Sequence, residues 1–408
     1  MSKSKRRVPF QNLQPNNLFE ASVKKKKFES IESSEESSAR HLDSLASSSV
    51  SVPGSTGYEI GNFYKVKDRE KFADDRYQAT KFLGYGNFGT VVQCQDLTSK
   101  ELVALKISKS SDAFLAAAVN ELVCMQHLQN ESLYCVHLKN HFFFHSQVGN
   151  HLVLVYELMD ITLLRHINSH GAFSIDQSKT VAKSILLAIR FCQEKSIIHS
   201  DVKLENVMIK FQNNQKRKIQ ARLVDFGLSF FSNPELGPQP TGHVGTLEYR
   251  APELLLKSFP YTSKIDVWAI ACTIYEMLST EYLITLNESD ESPKYSYEEL
   301  ALSTIITRLG SMPYSLIRHA ARKERAYFSC YHETSDSGKP KMVNITPSPP
   351  PPGQTRILDL LLDNSDLEPP EAQSVAEFLQ PLLLLDPTLR ISAADAIQLP
   401  WLLNVPSE

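Results

Sequence analysis

The sequence predicts an α+β protein in which a small strand-rich part precedes a larger helical part. Two segments rich in β-branched and apolar residues, 82–92 and 102–107, flank a turn-like stretch and predict strands. Apolar residues at helical spacing then predict a helix over 112–128. Further along, the apolar pattern is mainly helical, and one helix is expected to start at a capping box formed by Ser174 and Gln177.

The composition predicts a globular protein that is neither a dedicated nucleic-acid binder nor a membrane protein. The chain has 408 residues, 42% of them hydrophobic, and its 43 Lys and Arg against 46 Asp and Glu leave a net charge of -3. A nucleic-acid binder would carry a strongly basic domain, and no segment approaches the roughly 18 consecutive apolar residues of a membrane span. The six cysteines form no CxxC pair, which favours free thiols in a reducing compartment. We therefore expect an intracellular protein of the nucleus, the cytoplasm or both.

The first part of the chain, residues 1 to about 75, is predicted to be a disordered tail. Residues 1–30 carry eight Lys or Arg and two Glu, and residues 30–55 carry eleven serines among acidic residues. So few large apolar residues occur there that burial could not offset the entropy lost on ordering. The basic runs at 3–7 and 24–27 indicate nuclear import, with plain solvated charge as the alternative. The sequence does not identify partners of this tail.

Three glycines near the start of the folded part have a spacing that suits phosphate binding. Gly84, Gly86 and Gly89 would let backbone amides approach a triphosphate without a Cβ in the way. A dinucleotide-binding fingerprint would require a following helix, whereas Gly89 runs into the strand-like segment 91–94. The pattern favours a strand–turn–strand flap over phosphates, with an ordinary glycine-bearing hairpin as the alternative.

A lysine stands in an apolar strand pattern seventeen residues after Gly89. Lys106 ends the sequence Val-Ala-Leu-Lys, where burying its charge is costly unless a carboxylate or a phosphate pairs with it. Glu121, at the edge of the predicted helix over 112–128, is a candidate partner. The alternative is a surface lysine and a solvated helical glutamate.

The strongest chemical signal is a set of oxygen-bearing side chains in the helical part. Asp201 is followed five residues later by Asn206, and Asp225 precedes Phe-Gly. Phosphoryl transfer requires a carboxylate that orients the attacking hydroxyl and accepts its proton, together with hard oxygen ligands for Mg²⁺ on the phosphates. Asp201 suits the first role, and Asn206 with Asp225 suits the second. Each could be an ordinary loop residue, but their joint occurrence after Lys106 is improbable by chance.

From about residue 77 to 403 the chain resembles the eukaryotic protein kinases. The resemblance implies a two-lobed protein kinase fold that binds ATP and Mg²⁺, with a small lobe over about 77–158 and a large lobe over about 159–403. It also implies that Glu253 pairs with a buried arginine, for which Arg390 is expected. The motifs that carry the resemblance are the glycine loop, Lys106, the segment from Asp201 to Asn206, Asp225 with Phe-Gly, Ala251-Pro252-Glu253 and Asp266-Val267-Trp268.

The resemblance implies a role for each matching residue. Asp201 is expected to be the catalytic base and Lys203 to contact the γ-phosphate, while Asn206 and Asp225 bind the metal. Residues 156–159 resemble the segment that joins the lobes and contacts adenine. The residues expected to bind ATP are Leu83, Gly84, Tyr85, Gly86, Asn87, Phe88, Gly89, Thr90, Val91, Ala104, Lys106, Glu121, Glu157 and Met159.

Further motifs resemble the CMGC group of kinases and, within it, the DYRK/HIPK branch. Arg250, just before Ala-Pro-Glu, with Thr246 in the substrate-binding loop, implies a preference for proline after the phosphorylated residue. The stretch from about 285 to 370 matches the CMGC insert in position. The fifteen-residue gap from the strand lysine to the helical glutamate, and Ser200 in place of the usual arginine, are similar to the DYRK/HIPK branch.

The chain departs from that branch in the loop expected to carry an activating phosphate. Thr241 lies where many CMGC kinases carry a phosphothreonine that pairs with an arginine beside the catalytic Asp, but that neighbour is Ser200 here. The activating tyrosine of DYRK-type kinases falls on His243. Leu204 and Leu228 replace the proline and serine that are usual at their positions. Thr241 is therefore a candidate phosphosite that lacks its principal partner.

The sequence predicts an ATP- and Mg²⁺-dependent protein serine/threonine kinase. Its expected substrates are proteins phosphorylated at Ser or Thr, favoured when proline follows. The alternative is a pseudokinase, in which the same fold serves as a binding scaffold. The presence of Lys106, Asp201, Asn206 and Asp225 favours the enzyme. A nucleic-acid-binding function anchored by the basic tail would leave these four residues unexplained.

Overall fold

The computed structural model describes most of the chain from residue 63 onward. The described residues are 63–86, 88–212, 215–237, 240, 244–258, 260–286, 296–325, 327–328, 333–334, 340–341, 356–403 and 405. Most of the predicted tail, parts of the predicted insert, and the predicted positions Asn87, Thr241 and His243 lie outside them. The chain divides into two compact units: residues up to 126 with Leu138–Leu158, and His127–His137 with residues from 159 onward.

The first unit is built on a six-stranded antiparallel sheet. Its strands are β1 (Lys71–Phe72), β2 (Tyr77–Gly86), β3 (Gly89–Asp96), β4 (Leu102–Ser108), β5 (Leu138–Ser146) and β6 (Gly149–Glu157), and helix α1 spans Asp112–Leu128. The strands lie in the order β1-β2-β3-β4-β6-β5, and every neighbouring pair is antiparallel. The strands predicted at 82–92 and 102–107 and the helix predicted over 112–128 are all present.

Alternating burial along β4 decides which side chains point to the core of this unit. Val103, Leu105 and Ile107 are buried, whereas Ala104 and Lys106 between them are only half-buried. Successive side chains of a strand point to opposite faces of the sheet. The strand therefore presents Lys106 on the face opposite to its three core residues.

The first unit begins earlier in the chain than the sequence predicts. Phe72 in β1 is buried, and the Tyr64 ring lies 6.5 Å from it, centre to centre. The Tyr64 hydroxyl donates to Glu70 Oε1 at 2.6 Å, and Thr90 Oγ1 donates to the Tyr64 carbonyl at 2.7 Å. The pattern of residues 63–75 is too polar to predict this packing, which depends on two separated aromatic rings. The predicted tail is therefore too long at its C-terminal end.

One glycine of the predicted phosphate-binding hairpin is required by the fold itself. Gly89 pairs with Ser108 across β3 and β4, and a Cβ on Gly89 would lie 2.0 Å from the carbonyl oxygen of Ile107. A Cβ on Gly84 would meet no atom within 4 Å. The close approach of β4 therefore requires glycine at position 89 but not at position 84.

The second unit is mainly helical. Among the described residues its helices are α2 (Leu163–His170), α3 (Ile175–Glu194), α4 (Pro252–Leu255), α5 (Lys264–Ser279), α6 (Tyr297–Leu309), α7 (Tyr314–His319), α8 (Arg322–Arg325), α9 (Arg356–Asn364), α10 (Pro369–Leu382) and α11 (Ala393–Ala396). Its short strands are β7 (Ile161–Thr162), β8 (Ile197–Ile198), β9 (Val207–Gln212), β10 (Gln215–Leu223), β11 (Phe230–Phe231), β12 (Glu333–Thr334) and β13 (Pro340–Lys341). They pair as β10-β9-β7, β11-β8 and β12-β13. Within the described part of the chain, no helix has the length and apolar character needed to cross a membrane.

Two long helices organise this unit. Helix α3 begins at the predicted capping box, in which Ser174 and Gln177 bond each other's backbone N–H groups. Helix α5 is buried from Ile265 to Ser279, so it forms the centre of the unit. Helix α10 begins after Glu368, with two prolines in its first turn.

A buried ion pair ties α4 to the loop that precedes α11. Arg390 Nη1 and Nη2 donate to the two carboxylate oxygens of Glu253 at 2.7 and 2.9 Å. Arg390 also donates to the carbonyl oxygens of Leu384 and Lys264 at 2.9 and 2.8 Å. Its guanidinium carbon lies 5.1 Å from the centre of the Trp268 ring. The predicted pairing of Glu253 with Arg390 is confirmed, and the arginine charge is fully enclosed.

We expect Glu253→Gln to lower the free energy of unfolding by about 3–5 kcal/mol, because it leaves the buried Arg390 charge without a counter-charge. Urea denaturation followed by tryptophan fluorescence measures the loss. The matched control is Glu194→Gln, since Glu194 pairs with Arg190 at 3.5 Å on the exposed surface. That control should change the free energy of unfolding by less than about 1 kcal/mol. Equal losses for the two variants would contradict the role given to burial.

We expect Gly89→Ala to destabilise the first unit by about 1–3 kcal/mol, because the added methyl group forces β3 away from β4. Hydrogen exchange of the β3 and β4 amides should accelerate. Gly84→Ala is the control and should leave both stability and exchange nearly unchanged. Unaltered exchange in Gly89→Ala would show that the two strands do not approach each other as described.

Candidate active site

Strand β4 and helix α1 bring together the predicted lysine and glutamate. Lys106 Nζ donates to Glu121 Oε2 at 2.7 Å, and the two side chains are 14% and 3% exposed. The Tyr156 hydroxyl donates to the other carboxylate oxygen of Glu121 at 2.8 Å. The carboxylate is thus held at both oxygens, and the largely buried lysine charge has the partner that it requires.

The hairpin of β2 and β3 carries the predicted glycine loop. Gly86 pairs with Gly89, and the Phe88 carbonyl accepts the Lys109 N–H at 2.9 Å. A Cβ on Gly86 would come no closer than 3.9 Å to another part of the protein, and one on Gly84 would meet nothing within 4 Å. Packing does not require glycine at either position, so the space beside this backbone is clear for a ligand.

The other residues predicted to bind ATP divide between the two units. Glu157 pairs with Val103 at the end of β6. Met159 is 4% exposed and begins the part of the second unit that follows β6. In the first unit, Leu83, Val91 and Ala104 are half-buried, Tyr85 is exposed and Thr90 is buried. The first unit therefore holds the described nucleotide-binding candidates except Met159.

A buried carboxylate at the start of α5 holds the loop that follows β8. Asp266 accepts the backbone N–H groups of His199 and Ser200 at 3.0 and 2.7 Å. Burial raises the pKa of Asp266 to about 7, and the two N–H bonds oppose that rise. Burial also lowers the pKa of His199, whose ring nitrogen lies 3.0 Å from the Val224 carbonyl oxygen. The backbone of the loop is therefore fixed at His199 and Ser200, directly before Asp201.

Asp201 is fixed at both carboxylate oxygens. Its Oδ1 accepts the backbone N–H of Thr246 at 3.0 Å and the Thr246 hydroxyl at 2.8 Å. Asn206 Nδ2 donates to Asp201 Oδ2 at 2.7 Å and to the Asp201 carbonyl at 2.8 Å. A carboxylate bound in this way keeps one orientation. Such a fixed orientation is needed in a group that positions a reacting hydroxyl.

Lys203 places a positive charge beside Asp201. Its Nζ lies 3.2 Å from Asp201 Oδ2 and donates to Thr246 Oγ1 at 2.6 Å. Burial lowers the pKa of Lys203, but the carboxylates of Asp201 and Glu205 outweigh burial, and the pKa lies above its usual value. Lys203 therefore remains charged at neutral pH.

The backbone brings Asn206 and Asp225 close together. The Val224 N–H donates to the Asn206 carbonyl at 2.9 Å, so that Asp225 follows directly after this contact. Asp225 has a φ of 62°, in the left-handed region, and its Oδ1 accepts the Gly227 N–H at 3.3 Å. Because Nδ2 of Asn206 points to Asp201, its amide oxygen is turned the other way. The backbone of Asn206 therefore lies beside that of Val224, one residue before Asp225.

Arg250 caps two carbonyl groups of the loop that also contacts Asp201. Its Nε donates to the carbonyl oxygens of Val244 and Gly245 at 3.0 and 2.9 Å. Glu298 in α6 lies 3.9 Å from Arg250 Nη1, and the arginine side chain is only 10% exposed. The guanidinium is therefore held on one side by backbone and on the other by a carboxylate.

Some contributors to the site could not be assigned from the sequence. Asp266 matches a motif, but its position does not indicate that it bonds two backbone N–H groups. Nothing in the sequence indicates the bond from Tyr156 to Glu121, because the two residues lie on different elements 35 positions apart. The contact of Glu298 with Arg250 carries no sequence signal either, since Glu298 lies in α6 and Arg250 lies in the loop before α4.

Comparison with known proteins identifies a protein kinase domain over residues 77–402. The chain is 28% identical over 357 residues to the probable serine/threonine-protein kinase dyrk2 of Dictyostelium discoideum, covering 86% of this chain and 35% of that protein. It is 26% identical over 376 residues to the dual specificity tyrosine-phosphorylation-regulated kinase 3 of Rattus norvegicus, covering 86% and 58%. It is 28% identical over 333 residues to the corresponding kinase 4 of Homo sapiens, covering 80% and 57%.

These findings confirm the predicted fold and the predicted resemblance to the DYRK branch. The matched region includes the strand-rich sheet from β2 onward and nearly all of the helical unit. The chain spans 35% to 58% of the length of these three relatives, at 26–28% identity. The chain belongs to the protein kinase family, as a divergent DYRK-like member.

Proposed function

We propose that this chain is an ATP- and Mg²⁺-dependent protein serine/threonine kinase that transfers the γ-phosphoryl group of ATP to protein substrates. The observation that carries the proposal is the network in which Thr246 and Asn206 hold the two oxygens of Asp201 beside the charged Lys203. Phosphoryl transfer depends almost entirely on positioning and on electrostatic stabilisation. A fixed carboxylate next to a fixed cation supplies both.

Asp201 would orient the substrate hydroxyl and accept its proton as the oxygen attacks the phosphorus atom. Lys203 would neutralise charge on the phosphoryl group in transit, because the Asp201 carboxylate keeps its ammonium in place. Both side chains are only 8% exposed, so their interactions are screened little by solvent.

Protein kinase domains use ATP with Mg²⁺, and the donor set around Asp225 fits this metal. Mg²⁺ is usually held by one or two carboxylates together with substrate phosphates, so it does not need a cage of protein ligands. The described residues contain no group of three His, Cys, Asp or Glu side chains that could hold a metal alone. Asp225 and the amide oxygen of Asn206 would hold Mg²⁺, which neutralises phosphate charge when bound.

Lys106 would pair with the α- and β-phosphates of ATP. Its bond to Glu121, which Tyr156 supports from the other side, fixes the ammonium on the face of β4 away from the core. The clear space at Gly84 and Gly86 would let backbone N–H groups approach the phosphates. A scaffold without activity would have no need of this arrangement of charges, so the enzyme is favoured over the pseudokinase.

We also propose that proline is preferred after the phosphorylated residue. Arg250 Nε already donates to the carbonyl oxygens of Val244 and Gly245. A substrate residue with a backbone N–H at this point would find those acceptors engaged, and an unsatisfied buried donor costs about 1–3 kcal/mol. Proline has no N–H to satisfy. Substrates with proline at this position would therefore be preferred because they avoid the free-energy cost of an unsatisfied N–H group.

Asp201→Asn should reduce kcat by about 10²–10⁴-fold, because the amide cannot accept the hydroxyl proton. Asp225→Asn should instead raise the Mg²⁺ concentration required for half-maximal activity. Phosphate transfer to a protein or peptide substrate measures both effects. Asp363→Asn, at an exposed position in α9, is the matched control and should retain full activity. A rate for Asp201→Asn within about threefold of the parent would contradict the proposed role.

Matched peptides that differ only in Ser-Pro against Ser-Ala should show a preference for Ser-Pro of about tenfold in kcat/KM, the factor expected when one N–H is left unsatisfied. Arg250→Ala frees the two carbonyl groups and should reduce this preference. Arg308→Ala is the control, because Arg308 also donates to two carbonyl groups, those of Tyr282 and Leu283. Equal kcat/KM values for the two peptides with the parent protein would contradict the proposed preference for proline.

A further inference from the structure

An aromatic residue that precedes the sheet contacts the hairpin of β2 and β3, which we call the glycine hairpin. Tyr85, in β2, is 54% exposed, and its ring centre lies 4.9 Å from that of Phe82. The ring of Phe63 lies 4.8 Å from that of Tyr85, edge to face, with an interplanar angle of 63°. Aromatic pairs in this arrangement attract each other beyond the burial of their area. Phe63 therefore attaches the chain before β1 to the first strand of the hairpin.

The Lys109 side chain connects Phe63 to helix α1. Lys109 follows β4 directly, and Phe114 lies in the first turn of α1. The Lys109 Nζ atom lies 4.3 Å from the centre of the Phe63 ring and 4.1 Å from the centre of the Phe114 ring. An ammonium group within about 6 Å of a ring centre is attracted by the ring, and both distances are well inside that limit. One cation thus holds two rings that belong to separate parts of the chain.

The turn of the glycine hairpin is attached to the same residues. The Phe88 carbonyl accepts the backbone N–H of Lys109 at 2.9 Å, and the Phe88 ring centre lies 6.3 Å from that of Phe114. Phe63 contacts the hairpin at Tyr85, before the turn. Lys109 therefore takes part in the support of the hairpin on both sides of its turn.

The elements that support the hairpin also place the predicted phosphate-binding lysine. Lys106 lies in β4, which Lys109 follows, and Glu121 lies in α1, which carries Phe114. The bond from Lys106 to Glu121 at 2.7 Å joins this strand to this helix. A hairpin attached to β4 and α1 is therefore attached to the residues that fix the Lys106 ammonium. Holding a loop in its binding position lowers the entropy cost of binding a ligand.

We propose that Phe63 and Lys109 are positioning residues for ATP, which hold the glycine hairpin where its backbone N–H groups approach the phosphates. The proposal rests on the proposed kinase function and deepens it. Phe63 lies before residue 77, where the match to the protein kinase family begins. The part of the chain that supports nucleotide binding therefore starts before that match. If these side chains served only the stability of the sheet, their removal would leave the affinity for ATP unchanged.

Full-length protein carrying Phe63→Ala tests the aromatic contact, with Phe143→Ala as the matched control. Phe143 is a 46% exposed aromatic residue in β5, the edge strand of the same sheet. The KM for ATP should rise about fivefold in Phe63→Ala, the factor that an aromatic pair contributes. Its kcat should stay within about twofold of the parent. Phe63→Trp keeps an aromatic ring and should retain the affinity of the parent, and the control should be unchanged.

Lys109→Met removes the charge, keeps the apolar stem, and should raise the KM for ATP about fivefold. Lys109→Arg keeps a cation and should restore the affinity. The control is Lys139→Met, since Lys139 is a paired cation in β5, 2.6 Å from Glu101. The double variant Phe63→Ala/Lys109→Met should raise the KM by less than the product of the two single effects, because both changes remove the same contact. An effect equal to that product would show that Lys109 acts independently of Phe63 and would overturn the proposal.

Hydrogen exchange without nucleotide measures the support of the hairpin separately from catalysis. The amides of 84–86 and 88–91 should exchange about fivefold faster in Phe63→Ala and Lys109→Met, whereas those of β5 and β6 should not change. Unaltered exchange in the hairpin would overturn the proposal, and so would a KM for ATP equal to that of the parent. Equally faster exchange throughout the sheet would show a loss of stability alone and would overturn it as well.

Failure of this inference and failure of the kinase function give different results. Titration with a fluorescent ATP analogue follows nucleotide binding without catalysis. Weaker binding of the analogue and faster hairpin exchange in the variants, with no phosphate transfer by any protein including the parent, would support the positioning role and refute the proposed function. An active parent, with variants whose KM for ATP is unchanged, would support the function and refute the positioning role.

Discussion

The buried carboxylate of Asp266 is the constraint on which the loop that carries Asp201 depends. It lies in the first turn of α5, a helix enclosed along its length, and it holds the backbone N–H groups of His199 and Ser200. Ser200 has a φ of 68°, a conformation that few residues other than glycine adopt unless their surroundings impose it. The bonds to Asp266 supply that constraint. They set the direction in which Asp201 leaves the loop, and with it the geometry of the site.

The sequence predicted the elements and the chemistry better than it predicted the contacts. Periodic apolar patterns are local, so α1 was predicted with its observed bounds, and the capping box at Ser174 marked the start of α3. The cost of an unpaired charge in an apolar strand made Glu121 a candidate partner of Lys106, and the resemblance to protein kinases favoured that pair. The folded residues 63–75 were missed because two aromatic rings among polar residues have no period. Asp266 was identified as part of a motif, but its bonds to two backbone N–H groups were missed because such bonds leave no pattern in the sequence.

Two of the buried ion pairs in this protein, Lys106 with Glu121 and Arg390 with Glu253, serve different purposes. A buried ion pair is often no more stabilising than well-packed apolar side chains of similar volume. Stability alone therefore does not explain why Lys106, inside a sheet, is paired with Glu121. Glu253 and Arg390 are closed off from solvent on all sides, at 4% and 0% exposure, and serve the fold. Lys106 keeps 14% of its side chain exposed, which leaves an approach for an anion.

Two kinds of interaction fix the chain around Asp201. Arg250 contributes a charged side chain, and Ser200 contributes a neutral hydrogen bond. The Arg250 guanidinium donates to backbone carbonyl groups and lies near Glu298, so groups of the protein itself balance its charge. Ser200 reaches Leu228 with an uncharged hydroxyl. Hydrogen bonds of this kind are insensitive to ionic strength, whereas exposed pairs of full charges are screened by salt. The geometry around Asp201 therefore depends on hydrogen bonds and packing within the protein.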